Sequence, residues 1–254
     1  MRGVIQRLQS RQKVVLDLPS GFLIWEMKGR RKVQAPQTLA QRGMNQLPKA
    51  WIRERKNEFY YKKAKAENYR SRSTYKLVQA NSKYDFIKLH DVVVDLGAAP
   101  GGWIQAARKM TGRHGFVLGV DLKPIEPFTQ EYIRTIVADL SESDISEQIL
   151  SFLPRAPDVV LCDAAPNITG IWEVDHARQI DLATKAMEIA RSILKPHGNF
   201  FVKVFEGDLL NDFIRTLKGY FDVVKIVKPQ ASRAKSSEIY LLASDLKAKQ
   251  LDNE

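Results

Sequence analysis

The chain has one cysteine, Cys162, and four histidines in 254 residues. A single thiol excludes a disulfide framework, and so few scattered histidines leave no ligand set for a structural zinc site. No apolar run reaches the ~20 residues needed to span a bilayer. The opening MRGVIQRLQSRQ is charged and lacks a hydrophobic h-region, so it does not read as a signal peptide. The expectation is a reduced intracellular compartment, the cytoplasm. What is present is ordinary for a globular protein: 44% hydrophobic and 27% charged residues, in a length that suits one large domain or two small ones.

The formal net charge of +11 is unevenly spread. Residues 1–76 hold 19 Lys/Arg against 5 Asp/Glu, whereas residues 77–254 hold 21 against 24. An excess confined to the N-terminal third suggests an arm or face for a polyanion. Residues 49–76 alone carry ten Lys/Arg, three acids, and Trp51, Phe59, Tyr60, Tyr61, Tyr69 and Tyr75. Cations meet phosphates, and aromatic rings stack on bases splayed from single strands or loops. Some of these rings, Trp51 and Phe59 first, are expected in the core instead. A second basic patch, Lys225, Lys228, Arg233 and Lys235, precedes the last strand.

Residues 1–48 read as a basic extension. KVVLDLPSGFLIWEM has two short apolar runs around Pro19-Ser20-Gly21, a hairpin pattern, and Met44 offers an alternative start. Residues 49–247 read as one domain and 248–254 as a tail. Helices are expected over 51–67 and 70–82. From Asp91 strands (91–97, 115–121, 132–139, 157–163, 198–205) alternate with helices (103–110, 145–153, 175–194, 208–220), and two strands follow at 221–228 and 238–245. The loop between the last two is too short for a parallel crossover, so they should be antiparallel. The pattern predicts a Rossmann-like, doubly wound α/β sheet of seven mostly parallel strands, with helices on both faces. Ligands in such sheets sit beyond the strands' carboxyl ends, at the switch point.

The first strand runs into Asp95-Leu96-Gly97-Ala98-Ala99-Pro100-Gly101-Gly102-Trp103. A Gly-rich turn between strand and helix lets backbone approach a ligand and aims helix N–H groups at it. The dinucleotide fingerprint G-x-G-x-x-G fails at Ala99. A P-loop would need Lys and Ser/Thr where Trp103 and Ile104 stand, which leaves nothing for phosphates or Mg²⁺. S-adenosylmethionine carries no phosphate and needs room for a methionine tail and an acid for its ribose. Asp121 ends the second strand, 24 residues after Gly97, near the offset at which an acid meets ribose hydroxyls. Asp139 ends the third, placed for the adenine. The expected cofactor residues are Gly97, Gly101, Gly102, Trp103, Asp121, Asp139 and Asp163.

DLGAAPGGW, DAAPN after the fourth strand, FVKVF in the fifth, SRAKSSEIY before the last and YYKKAKAENYRSRSTYKL upstream together closely resemble the FtsJ/RrmJ-like ribosomal RNA large-subunit ribose 2′-O-methyltransferases (the RlmE family). The resemblance runs over roughly residues 51–245 and leaves out residues 1–48. It implies the S-adenosylmethionine-dependent form of the fold, a monomer, and an RNA partner, here a uridine of large-subunit ribosomal RNA within the large ribosomal subunit or its precursor. A transfer RNA anticodon-loop methyltransferase is the alternative, and a non-catalytic RNA-binding assembly factor a further one. The family's Lys-Asp-Lys-Glu tetrad falls on Lys76, Asp163, Lys203 and Glu238.

The chemistry suits those residue types. A ribose hydroxyl is a poor nucleophile, while a sulfonium methyl is already activated, so the site must align an in-line attack and help remove a proton. A free lysine is protonated at neutral pH, and burial or a second ammonium favours its neutral form. Lys203 reads either as that base or as a charged stabiliser of the alkoxide, with Lys76 as the like charge and Asp163 and Glu238 as orienters. Lys203 also stands out as the one charge in the apolar strand GNFFVKVF. Asp163-Ala164-Ala165-Pro166 lacks the tandem prolines and aromatic common in exocyclic-amine methyltransferases. Cys162, beside Asp163, should point to the other sheet face and be core rather than a nucleophile.

Overall fold

Strand β1 (Val92–Leu96) is buried at every position, as a strand covered on both faces must be. It pairs in parallel with β2 (Phe116–Asp121) on one side and β4 (Val159–Cys162) on the other. Strand β3 (Ile133–Val137) adds outside β2, and β5 (Asn199–Phe205) outside β4, both parallel. Strand β7 (Glu238–Leu246) lies antiparallel between β5 and β6 (Phe221–Val227). The order β3-β2-β1-β4-β5-β7-β6 is the doubly wound, mostly parallel sheet with an antiparallel last pair that the strand spacing implied. The chain leaves β1 toward β2 and β3, then returns to β1's other side as β4. That reversal opens a crevice beyond the carboxyl ends of β1 and β4.

This computed structural model describes residues 49–233 and 236–248, with the side chains of the first helix described from residue 58. The hairpin within residues 1–48, the alternative start at Met44, the Trp51 side chain expected in the core, Lys235 and the tail beyond Ala248 lie outside what is described.

Helices α1 (Lys49–Ala66), α2 (Thr74–Tyr84), α3 (Gly102–Thr111), α4 (Ile145–Ser151), α5 (Trp172–Ile193) and α6 (Leu210–Tyr220) complete the described fold. Period-two alternation sorts the strand residues into two cores. Val94, Leu96, Val160, Cys162, Phe200 and Val202 pack with Ala183, Met187 and Ala190 of α5 and Phe213 and Leu217 of α6. Val93, Val117, Leu161, Phe201, Tyr240 and Leu242 pack with Leu77 and Ala80 of α2 and Trp103, Ile104 and Ala107 of α3. Each fully buried large side chain contributes roughly 1.5–3 kcal/mol of transfer free energy. Cys162 therefore faces α5, away from the α2 side, and burial pushes its thiol up to about 12. It is a core residue, as its neighbour-strand position implied.

Three local expectations shift. Helix α2 starts at Thr74 rather than residue 70, because N–H groups of residues 70–73 go to side chains, of α3 and of the segment itself. The Arg70 N–H donates to Gln105 Oε1 at 2.8 Å, and the Ser73 N–H to Ser71 Oγ at 3.0 Å. Helix α5 starts three residues before Asp175, whose carboxylate reaches back to the N–H groups of Thr169 (2.7 Å) and Gly170 (3.0 Å). Phe59 is not core: it is 58% exposed. Ala64, Tyr75 and Ala231 form the buried cluster there, with Tyr60 and Tyr69 against it.

Candidate active site

The antiparallel register of β5 and β7 pairs Lys203 with Tyr240 and Phe205 with Glu238. The first residue of β7 thereby reaches the carboxyl end of the parallel strands, and Lys203, Tyr240 and Glu238 share the face covered by α2 and α3. Lys203 is 6% exposed. Its Nζ donates to the Asp163 main-chain oxygen at 2.6 Å and stands 3.4 Å from the Asp163 Oδ1. Asp163, the first residue after β4, also accepts from Ser73 Oγ on Oδ2 (2.7 Å) and from Tyr240 OH on Oδ1 (2.8 Å). Burial pushes its carboxyl up, but Lys203, Lys76 and the two hydroxyls outweigh this and hold it below its ordinary value. Burial, then the Asp163 and Glu238 charges, push the Tyr240 hydroxyl far above the usual phenol range.

Lys76 comes from the first turn of α2 and meets Glu238 in a bidentate pair, Nζ lying 2.7 Å from Oε1 and 2.8 Å from Oε2. Ser232 Oγ donates to Glu238 Oε1 at 3.0 Å. The β6–β7 loop that carries Ser232 is fixed to α2: the Ala231 N–H donates to Gln79 Oε1 (3.0 Å), and Gln79 Nε2 donates to Tyr60 OH (2.8 Å). The Lys76 ammonium is also 5.6 Å from the Tyr240 ring. The four residues singled out as a tetrad thus converge as two amine–carboxylate pairs, joined through Tyr240.

A cavity adjoins them, bounded by residues 71 and 73, Asp95, the turn 97–100, Gly102, Trp103 and Asp163. Asp163 belongs to both cavity and tetrad. Gly97 has φ +74°, and a Cβ there would lie 2.6 Å from the Ala164 Cβ, so only glycine lets this turn close against the β4 exit. A Cβ on Gly102 would lie 2.6 Å from Thr74 Oγ1, which keeps the N-terminus of α3 against that of α2. Gly101 has φ +105° and precedes α3. The Trp103 indole is buried against Phe201 and Tyr240, and its Nε1–H donates to the Ser73 carbonyl at 2.9 Å. Asp121 braces the turn, accepting the Ala99 N–H (2.9 Å) and the Lys123 N–H (2.8 Å). Asp139, just past β3, accepts the Ser141 N–H at 2.8 Å. Neither Asp121 nor Asp139 is among the residues bounding the cavity.

A family model described as FtsJ-like methyltransferase matches residues 69–246. The chain belongs to this family. A relative named ribosomal RNA large subunit methyltransferase E from Methanococcus maripaludis is 46% identical over 209 residues, covering 82% of this chain and 81% of its own length. A protein of the same name from Methanosarcina mazei is 51% identical over 188 residues, covering 74% and 69%. Among solved structures, that of a ribosomal RNA methyltransferase from Plasmodium falciparum superposes with a TM-score of 0.64 at 25% identity, over 71% of this chain and all of that one.

Within this FtsJ-like site, four residues escaped the sequence reading. Ser73 and Tyr240 complete the hydrogen bonding of Asp163, and no sequence signal marks either. Gln179, buried on α5, donates its Nε2–H to the carbonyls of Lys203 (3.0 Å) and Ala164 (3.4 Å), and so ties β5 to the β4 exit loop. Asp95 is 1% exposed, yet neither carboxylate oxygen has a hydrogen-bond partner among the described residues. Burial, then the charges of Asp163 and Asp121, push its carboxyl well above the ordinary range. Asp95 did carry a signal: like Lys203, it is a lone charge in an apolar strand.

Proposed function

We propose that the chain is an S-adenosylmethionine-dependent RNA ribose 2′-O-methyltransferase, acting as a cytoplasmic monomer on a uridine of large-subunit ribosomal RNA. The observation that carries the reading is the convergence of two amine–carboxylate pairs beside a cavity that one pair, through Asp163, helps to line together with Asp95. Relatives named ribosomal RNA large subunit methyltransferase E at 46–51% identity support the choice of RNA.

The residues present fit this cofactor. S-adenosylmethionine is cationic at its sulfonium and its ammonium, and Asp95 is a buried acid whose side-chain oxygens have no hydrogen-bond partner among the described residues. The turn from Gly97 to Trp103 offers a close backbone approach without a lysine, as suits a ligand without phosphates. Asp121 and Asp139, at the ends of neighbouring strands, are assigned the ribose and the adenine. When bound, S-adenosylmethionine supplies a methyl group already activated for displacement.

The chain's own groups then do the rest. Asp163, held ionised by its donors, is too weak a base to take a hydroxyl proton, and it serves to orient the Lys203 amine. Lys203 is the group set to act on the ribose hydroxyl, either taking its proton or, as an ammonium, stabilising the developing alkoxide. The Lys76–Glu238 pair holds the ribose in line and keeps the cleft near neutrality. Phe59 and Tyr61, both exposed, and the exposed Lys62, Lys63 and Lys65 of α1 form the RNA platform, and the basic sequence of residues 1–48 adds to the chain's affinity for a polyanion.

The test is a map of ribose methylation in total RNA from cells lacking the gene. One 2′-O-methyluridine should vanish from large-subunit ribosomal RNA. A mark lost from a transfer RNA anticodon loop would move the substrate there, and an unchanged map would refute the activity.

A further inference from the structure

We propose that Trp172, with the apolar residues beside it, is a nucleobase-binding ledge at the edge of the catalytic cleft, taking a base of the acceptor RNA strand. The inference rests on the function proposed above and adds a contact which that function does not require.

Trp172 opens α5 and is 44% exposed, with Ile168 at 62%, Ile171 at 58% and Leu209 at 42% close by in the chain or through bonded neighbours. An indole so open is not serving a core, and helix initiation does not need it, since the Asp175 carboxylate serves the N–H groups ahead of α5. Yet the ring packs against two others. It stacks on His176 (centroids 5.7 Å apart, 16° between planes) and on Phe205 (6.1 Å, 28°). His176 is itself buried and fixed, its Nε2 accepting the Leu209 N–H at 3.1 Å. A Cβ on Gly207 would come within 2.7 Å of that imidazole, so glycine lets the loop after β5 close on the histidine. A half-open aromatic plane backed by other rings is what stacking on a base requires.

Its position is continuous with the tetrad. Phe205 is register-paired with Glu238 and two residues beyond Lys203, ~7 Å along the strand, the scale of a single nucleotide. The loop that ends at Trp172 begins at Asp163. The surroundings argue for a base rather than a phosphate. Exposed Glu173 follows Trp172 in the chain, and exposed Glu206, which stands 3.9 Å from Lys228, and Asp208 flank Gly207, the residue closed against His176. Carboxylates repel phosphates but accept N–H groups from base edges. The basic α1 surface is chemically different and suits the backbone. RNA bases become available in this way in loops and single strands.

The experiment is steady-state methylation of a protein-free large-subunit ribosomal RNA transcript by wild type, Trp172→Ala, Trp172→Leu and Trp172→Phe. Melting curves and cofactor affinity are measured on each. Leucine keeps apolar volume and loses the ring, so it guards against a folding defect in the alanine variant. We expect KM for RNA to rise about tenfold for alanine and leucine alike. Phenylalanine should restore most of the loss, and the salt slope of RNA binding should not change, because no phosphate contact is removed. RNA should also quench indole fluorescence in wild type more than in Trp172→Phe. An unchanged KM with naked RNA would overturn the proposal and leave the patch to a protein partner, and a shallower salt slope would make it a phosphate contact. If wild type itself transfers no methyl, the activity reading fails, and the quenching comparison alone decides the ledge.

Discussion

The Lys203 ammonium is held by two different oxygens of one residue: it donates to the main-chain carbonyl of Asp163 at 2.6 Å and faces that residue's Oδ1 at 3.4 Å. The carbonyl contact survives loss of the Asp163 charge, so Asp163→Asn should keep Lys203 in place and keep the Ser73 and Tyr240 contacts nearly intact. Methyl transfer should still fall about 100-fold or more, the scale of general acid–base contributions, with little change in melting temperature. Single-turnover assays paired with thermal melts check this; equal losses of stability and rate would mean the carboxylate is structural only.

The Lys76–Glu238 pair is nearly enclosed, each side chain about one-eighth exposed (13% and 14%). Removing one partner strands the other in a poorly hydrated place. Lys76→Met and Glu238→Gln should each lower stability and activity, and the double variant should lose less stability than the two losses added, by about 1 kcal/mol or more. Denaturant titration of the four proteins reads the coupling; strict additivity would show that the pair does not form.

Asp95 makes a prediction of opposite sign. Its carboxyl is pushed up by burial, then by Asp163 and Asp121, so between its unfolded and folded values the folded state holds the extra proton. Stability therefore falls as pH rises through that window. Asp95→Asn removes the ionisation and should raise the melting temperature of the cofactor-free protein at neutral pH while weakening S-adenosylmethionine binding. Calorimetric titration and melts test both; unchanged cofactor affinity would release Asp95 from the assigned contact.

Asp158 anchors the opposite end of the sheet. Burial pushes its carboxyl up, but contacts from Arg155 (2.6 Å), Lys195 (2.5 Å) and the Val92 N–H (2.7 Å) outweigh that and hold it below the ordinary value. Its stabilisation is fully present above ~3.9, the unfolded value, and is lost as pH falls through the lower folded value. Asp158→Asn should cost roughly 1.5–3 kcal/mol at neutral pH, the range for charge-assisted hydrogen bonds. Urea titrations at pH 7 and below pH 4 should show the difference shrinking in acid; a difference independent of pH would contradict the ion pairs.

Much of this was legible in the sequence because period-two burial and a Gly-rich strand-to-helix turn are local patterns. The seven strands, the antiparallel end pair and the switch-point crevice follow from them. Lys203 announced itself as a charge where no charge belongs. Lys76 did not, because its burial depends on α2 packing over β7, and a lysine on an isolated helix looks solvated. Tyr240 was hidden for the same reason: its hydroxyl meets Asp163 only once the β5–β7 register is set. Phe59 misled because Lys and Arg crowd most turns of α1 and blur its apolar face; Tyr60 and Ala64, four apart, turn inward instead.

The most direct test of the tetrad is methyl transfer from isotopically labelled S-adenosylmethionine to a large-subunit ribosomal RNA transcript, with the product nucleosides resolved by mass spectrometry. Wild type should place the label on a ribose 2′-oxygen of uridine, and Lys203→Ala should bind the cofactor normally yet transfer essentially none. Label on a base, or undiminished transfer by Lys203→Ala, would contradict the account.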